Sequence, residues 1–125
     1  MIISKKIKIK SQSAFLSGQS DIKRSIYFFS YKINIINLSN ESIKLLTRHW
    51  DIKDANGKIN VIEGDGVIGE YPIIKSNDSY NYKSFCPLKT EFGSMRGFYT
   101  FSNDNGDIIK SIIPEFSLIA PSYIN

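Results

Sequence analysis

Residues 27–36 read YFFSYKINII, and this stretch decides the fold because large apolar residues recur at every second position. The repeating apolar residues are Phe29, Tyr31, Ile33 and Ile35. The positions between them are occupied by Ser30, Lys32 and Asn34. A period of two predicts a β-strand with one buried face, and isoleucine, tyrosine and phenylalanine are residue types that favour such a strand.

The same period recurs on both sides of this strand. KKIKIK at 5–10 and GFYTF at 97–101 alternate in the same way, and no window has the pattern of an amphipathic helix. Strands at this spacing predict an all-β fold, an antiparallel sandwich or barrel. No linker or repeat divides the chain, so we expect a single domain over residues 1–125 with frayed ends at 1–3 and 122–125.

Polar turns separate the predicted strands. Asn56-Gly57 and Asn105-Gly106 carry the strongest short signal for a β-hairpin. Polar segments at 37–42 and 75–79 predict two further turns.

Composition limits the class of protein. The chain has 125 residues, of which 42% are hydrophobic, and one cysteine, Cys86. A single thiol cannot form an internal disulfide, which favours a reducing compartment, and the N-terminal residues lack the apolar segment of a signal peptide. No apolar run approaches the ~18 residues of a membrane span. We therefore expect a cytoplasmic protein that does not insert into a membrane.

The charge is mildly basic, with a net value of +4. Four lysines form one basic edge near the start of the chain: Lys5, Lys6, Lys8 and Lys10. Lysines on an edge strand more often prevent pairing with other sheets than bind nucleic acid. A nucleic-acid partner is therefore not expected.

The segment EGDGVIGE at 63–70 contains Gly64, Gly66 and Gly69 in the spacing G-x-G-x-x-G. A dinucleotide site would need a helix that opens directly after the motif, and Pro72 follows instead. The glycines are therefore interpreted as a loop between two strands. A weaker alternative is an anion nest of backbone N–H groups, with Arg48 or Arg96 as the cation.

Four segments resemble a known family in order and spacing. They are YFFSYKINIINLSNESIKLLTRHWDI at 27–52, VIEGDGVIGEYPII at 61–74, GSMRGFYTF at 93–101 and IIPEFSLIAP at 112–121. In these segments the chain resembles the ApaG family. The resemblance implies a bacterial protein with an immunoglobulin-like or fibronectin-type-III-like β-sandwich, associated with cobalt resistance and magnesium efflux.

The resemblance also implies two kinds of binding. Related eukaryotic domains, attached to F-box proteins and to a polymerase-delta-interacting protein, serve as protein-interaction modules. Binding of pyrophosphate or nucleotides through the glycine loop has been proposed for the family.

Candidate catalytic and metal-binding residues are few. His49 is the sole histidine, so a zinc site of nitrogen and sulfur ligands is excluded, and no nucleophile context accompanies it. Glu63, Asp65 and Glu70 surround the glycine loop, but their spacing does not support a Mg²⁺ or Co²⁺ site. We therefore predict no catalytic residues, no metal ligands and no cofactor.

Arg48 and Trp50 lie on one face of a predicted strand, with His49 on the other. Trp50 is interpreted as a core residue, and its alternative role is a hot spot for a partner protein. The role of Arg48 stays open.

These residues lead to two hypotheses. The first is a non-enzymatic module that binds a protein partner through residues 64–69 and Arg48. The alternative is a sensor for a phosphate-containing molecule, held by the glycine loop with Arg48 or Arg96. An enzyme comes third because no acid, base or nucleophile constellation is recognisable. A homodimer formed through an edge strand is also left open.

Overall fold

Nine β-strands build two sheets in the computed structural model, which describes residues 1–121. The strands are β1 (Ile2–Ile3), β2 (Ile7–Phe15), β3 (Tyr27–Asn37), β4 (Ile43–Asp54), β5 (Ile59–Asp65), β6 (Ile73–Ile74), β7 (Ser79–Leu88), β8 (Phe92–Asn103) and β9 (Ile108–Ile119). Two short 3₁₀ helices, Ser17–Gln19 and Ile22–Arg24, lie between β2 and β3. No helix in this described range is long and apolar enough to cross a membrane.

The large sheet has the strand order β1-β9-β8-β4-β5, and β6 pairs with β4 beyond the end of β5. The small sheet has the order β2-β3-β7. The two sheets pack face to face, so the predicted all-β sandwich is confirmed.

The N-terminus differs from its prediction. Residues 1–3 were expected to fray, but Ile2 and Ile3 form a short parallel strand opposite Ile109 and Lys110 of β9. The expectation of fraying is therefore wrong at this end. The pairing of β1 with β9 is the one parallel pairing among the described strands. The C-terminal part of the same expectation, residues 122–125, lies outside the described residues.

The core lies between the inner faces of the two sheets and follows the predicted period of two. On β3, Phe29, Ile33 and Ile35 are buried, and Lys32 is exposed. Each large apolar side chain buried in this way stabilises the fold by about 1.5–3 kcal/mol. The alternation thus fixes which side of each strand reaches the core, and therefore which residues can form a surface site.

The predicted turns are also found. Asn56-Gly57 joins β4 to β5, and Asn105-Gly106 joins β8 to β9. The other two predicted turns lie between strands at 38–42 and 75–78, since Asn37 ends β3 and Ser79 begins β7.

Candidate functional site

Residues 66–72 of the glycine segment form a loop whose two ends are hydrogen-bonded to neighbouring residues of β4. The Gly66 N–H donates to the Leu46 carbonyl (2.8 Å), and the Leu45 N–H donates to the Pro72 carbonyl (3.0 Å). The register of β4 against β8 shifts between Leu45 and Thr47, which marks a bulge at this point. Both ends of the loop 66–72 are therefore hydrogen-bonded to β4 at the same β-bulge.

The tip of this loop is a tight turn. Val67 and Glu70 exchange two backbone hydrogen bonds, each 2.9 Å long. The two residues between them, Ile68 and Gly69, have φ values of 51° and 73°. Positive φ at both central positions is the pattern of a type I′ turn. The segment after Gly69 continues into β6 and not into a helix, as the sequence predicted.

Gly66 and Gly64 are required for different reasons. Gly66 has φ 62°, and a Cβ placed there would lie 2.2 Å from the Glu70 carbonyl oxygen. Gly64 lies within β5, and a Cβ there would meet the guanidinium of Arg48 at 2.6–2.8 Å. Gly64 thus leaves room for a neighbouring side chain, whereas Gly66 allows the chain itself to turn.

Arg48 uses that room to bind the loop backbone. Its Nη1 donates to the Asp65 carbonyl and to the Gly66 carbonyl, both at 2.9 Å. No carboxylate of the described chain lies within 4.0 Å of the guanidinium. Its Nε and Nη2 donate to no acceptor among the same residues. Arg48 is therefore a half-buried cation that is fixed in position but carries no counter-charge.

A cleft of about 420 Å³ opens beside this guanidinium. It is lined by side chains of both sheets and by the loop tip: Tyr31, Arg48, Asp65, Val67, Ile68, Gly69, Tyr82 and Ser84. The backbone N–H groups of Ile68 and Gly69 have no acceptor within residues 1–121. Hydroxyl groups, free N–H groups and a fixed cation are donors that suit an anion, whereas the Asp65 carboxylate on the rim opposes one.

The tyrosines of this cleft remain neutral at physiological pH. Burial raises the pKa of Tyr31 and Tyr82 above the ordinary value of 10.0, and the charge of Arg48 lowers each only in part. Burial likewise raises the pKa of Tyr99, whose hydroxyl forms a hydrogen bond with that of Tyr82 behind the cleft. The hydroxyls of the cleft are therefore hydrogen-bond donors and acceptors and not bases.

The adjacent residue, His49, lies on the opposite face of β4. Its Nδ1 lies 2.7 Å from Glu63 Oε1 and its Nε2 lies 3.0 Å from Asp51 Oδ1. The ring stacks on Phe98 with the centroids 4.7 Å apart. Both ring nitrogens are thus engaged by carboxylates, which leaves neither free to act as a general base in this arrangement.

Arg96 belongs to this outer face. Its Nε lies 3.8 Å from Asp51 Oδ2, and it lines neither of the two cavities that contain Arg48 and loop residues. The register explains the position, because Arg96 pairs directly with Asp51 across β8 and β4. Of the two arginines considered for the glycine loop, the structure brings only Arg48 to it.

Trp50 and Cys86 are part of the core. Trp50 is 2% exposed and packs edge-to-face against Tyr31, Tyr99 and Phe116. This burial removes it from any contact surface and agrees with its interpretation as a core residue. Burial raises the pKa of the Cys86 thiol to about 11, which disfavours the reactive thiolate.

The three acidic residues around the loop do not converge. Glu63 binds His49, and Glu70 accepts a hydrogen bond from the Tyr80 hydroxyl at 3.1 Å. Within the described residues, no group of three or more His, Cys, Asp or Glu is placed to hold a metal ion.

A wider depression of about 700 Å³ lies on the outer face of the small sheet. It is rimmed by Lys10, Lys32 and Lys83, which are exposed and make no hydrogen bond inside the described part of the chain. Lys83 Nζ lies 5.8 Å from the centroid of the Phe85 ring, and no hydrogen bond within residues 1–121 orients any of the three ammonium groups, whereas two hydrogen bonds fix the Arg48 guanidinium. The smaller cleft is therefore the better candidate site despite its size.

Comparison with known proteins agrees with this fold. The family model of the ApaG domain matches residues 17–103. The protein ApaG of Beijerinckia indica is 39% identical over 119 residues, covering 95% of this chain and 92% of that protein. The protein ApaG of Shewanella piezotolerans is 42% identical over 119 residues, covering 95% and 94%. The crystal structure of a Bordetella pertussis protein named ApaA superposes with a TM-score of 0.89 at 31% identity, covering 92% of this chain and 94% of that one.

Proposed function

Because the chain belongs to the ApaG family, we propose that it is a non-enzymatic binding module whose ligand site is the Arg48 cleft, and that this cleft takes a phosphate-type anion. The observation that carries this proposal is the state of Arg48. Its guanidinium is fixed by two loop carbonyls, yet no carboxylate of residues 1–121 neutralises it.

A half-buried cation without a counter-charge is costly to keep, and an anion at its free edge would offset that cost. Nε and Nη2 form the edge that remains, and two parallel N–H donors match two oxygens of a phosphate. The neutral hydroxyls of Tyr31 and Tyr82 and the free N–H groups of the loop tip add further donors.

The non-enzymatic part of the proposal rests on the groups that could do chemistry. The ring nitrogens of His49 are engaged by two carboxylates on the face opposite the cleft. The thiol of Cys86 is buried with a raised pKa. The cleft itself supplies binding groups and lacks an evident base or nucleophile.

A protein partner at the loop tip is the second candidate, and a specific observation favours it. Ile68 is 60% exposed in the left-handed region, where a β-branched residue is strained by about 1–3 kcal/mol. Tyr71 and Ile73 nearby are also exposed. Ile68→Asn is expected to raise the free energy of unfolding by about 1 kcal/mol, because asparagine tolerates this conformation. A stability loss in urea unfolding would show that Ile68 has a structural role and would remove this argument for a partner.

We also propose for this chain the wider role that its resemblance to the ApaG family implies. We assign the chain to the cytoplasm on the strength of its single cysteine. We extend to it the association with cobalt resistance and magnesium efflux, acting through binding of an anion or partner and not through metal ligands of its own.

Backbone amide NMR tests the anion site. Pyrophosphate and ATP are titrated into the wild type, Arg48→Gln and Arg96→Gln, with and without Mg²⁺. We expect saturable shifts at residues 64–70 and a dissociation constant about tenfold or more higher for Arg48→Gln, as for loss of one charge-assisted contact. The affinity should also fall with added salt.

Arg96→Gln is the matched control because it removes the same charge from the outer face. It should change the affinity less than about twofold. Equal weakening by both variants, or no shifts at millimolar ligand, would contradict an anion site in the cleft.

A further inference from the structure

The outer edge of β5 is an exposed, apolar strand edge of the large sheet. β5 pairs with β4 on one side and ends the large sheet on the other. Ile59, Val61 and Ile62 are 46%, 57% and 46% exposed. Ile62 pairs with the buried Trp50 and therefore lies on the inner face, where the three-stranded small sheet does not cover it. Ile59 and Val61 lie on the outer face, so the edge is apolar on both sides.

The other described edge strands are protected against pairing, and β5 is not. Beyond Lys110, the outer edge of β9 lies against β2, where the Ser111 hydroxyl donates to the Ile7 carbonyl and the Ser13 hydroxyl to the Ser117 carbonyl. β1 and β6 are two residues long. β2 presents Lys8 and Lys10, and β7 carries Lys83 and Pro87. Short edge strands, lysine and proline are the usual devices that prevent one sheet from extending another. β5 has seven residues and contains neither lysine nor proline.

The charges at the two ends of β5 indicate which strand could pair with its free edge. Lys58 precedes the strand, and Glu63 and Asp65 end it. An antiparallel copy of the same strand would place the basic end of each beside the acidic end of the other, with Ile59, Val61 and Ile62 in the middle. A parallel copy would place like charges together. Self-complementary surfaces of this kind form two-fold dimers.

We propose that the protein dimerises through β5, which pairs antiparallel with β5 of a second copy and joins the two large sheets into one. The pairing satisfies the outward backbone N–H and C=O groups of both strands. It also removes the exposed isoleucine and valine side chains from water on both faces. A seven-residue edge is smaller than a standard interface, so we expect a dissociation constant in the micromolar range.

Sedimentation equilibrium measures this directly. The wild type, from about 1 to about 100 µM, is expected to approach twice the 14.2 kDa of one chain. Val61→Lys should raise the dissociation constant about tenfold or more, because two-fold symmetry introduces the lysine twice into a β-edge. The matched control is Ile112→Lys, which makes a similar change at a 52% exposed position of β9, a strand that β8 and β4 separate from β5.

Ile112→Lys should dimerise as the wild type does. A second variant, Lys58→Glu, should weaken the dimer several-fold at low salt and less at high salt, because it places an acid beside the acidic end of the other copy. A wild type that stays monomeric over the whole range would overturn the proposal. So would a dimer that Val61→Lys leaves intact, because the contact would then lie elsewhere.

Discussion

Arg48 and His49 are consecutive residues of one strand, yet their surroundings differ in almost every respect. His49 faces outward, stacks on Phe98 and meets a carboxylate at each ring nitrogen. Arg48 faces the cleft between the sheets, donates to two backbone carbonyls and shares the cleft with the neutral Tyr31 and Tyr82. The outer face therefore satisfies its own polar groups, whereas the inner cleft keeps one charge unneutralised.

This difference distinguishes a structural cation from a candidate ligand-binding one. A positive group that is already paired contributes modestly to stability, and its removal should change the free energy of unfolding but not the affinity for a ligand. A positive group held in place by carbonyl oxygens keeps its charge available, and its removal should lower the affinity for an anionic ligand. The four predictions below separate the two faces, beginning with the change that should disturb the cleft most.

Gly66→Ala should have the largest effect because it disrupts the loop that fixes Arg48. The new Cβ would lie 2.2 Å from a backbone oxygen at φ 62°. We expect the free energy of unfolding to fall by about 3 kcal/mol or more. Gly69→Ala is the control, because its φ is also positive but its Cβ would meet nothing within 4 Å. It should cost about 1–2 kcal/mol. Equal losses in urea unfolding would show that the clash has no effect of its own.

Tyr99→Phe should come next, because it leaves the half-buried Tyr82 hydroxyl without its partner. We expect a loss of about 1–2 kcal/mol at pH 7. The pKa values of both tyrosines are raised by burial above 10.0, so their contribution is complete below that pH and is lost as the pH rises towards the folded-state values. Cys86, raised from 9.0 to about 11, adds to the same alkaline loss.

Urea unfolding between pH 8 and pH 11 measures this loss. The wild type should weaken above about pH 9–10, and Tyr99→Phe should weaken less steeply because it lacks one of the titrating groups. A decline of equal slope in both proteins would place the alkaline sensitivity outside the tyrosine pair.

Gly64→Ala should affect binding without much effect on folding. Its Cβ would meet the guanidinium of Arg48, which is the far end of a flexible side chain that can move aside. We expect a stability change below about 1 kcal/mol, together with a pyrophosphate affinity lower by about tenfold. A variant that binds as well as the wild type would show that the fixed position of Arg48 is not needed.

Glu63→Gln should have the smallest effect because it removes a charge from the outer face, where the side chain is 69% exposed. We expect a loss of less than about 1 kcal/mol and unchanged anion affinity. Thermal unfolding and the same NMR titration measure both quantities. A large drop in affinity would mean that the outer face and the cleft act together.

The alternating pattern predicted most of the sheets because burial on one side of a strand is a local property. The faces of Ile33, Ile35 and Lys32 follow directly from it, and Asn56-Gly57 predicted its hairpin. The strand at Ile2–Ile3 was missed because its parallel partner on β9 is more than a hundred residues away and two residues carry no period. The bulge between Leu45 and Thr47 likewise has no local signal.

The candidate site was only partly predictable, for a similar reason. The sequence named Arg48, Arg96 and the three glycines but could not distinguish the two arginines. Their difference depends on the register of β4 with β8, which places Arg96 beside Asp51, and on Gly64 lying opposite Arg48. Tyr31, Tyr82 and Ser84 were not predicted as part of a site, because only the packing of two sheets brings them to the cleft.

Clamping both ends of the glycine loop to a single bulge of β4 has a consequence for protein engineering. The distance that the loop must span is set by Leu45 and Leu46 and does not depend on what lies between Val67 and Glu70. A foreign sequence inserted at Ile68–Gly69 would therefore leave the register of every strand unchanged, since loop insertions cost little once the ends are fixed. The fold is in this sense a scaffold for displaying grafted peptides, with Arg48 beside them as a built-in positive charge.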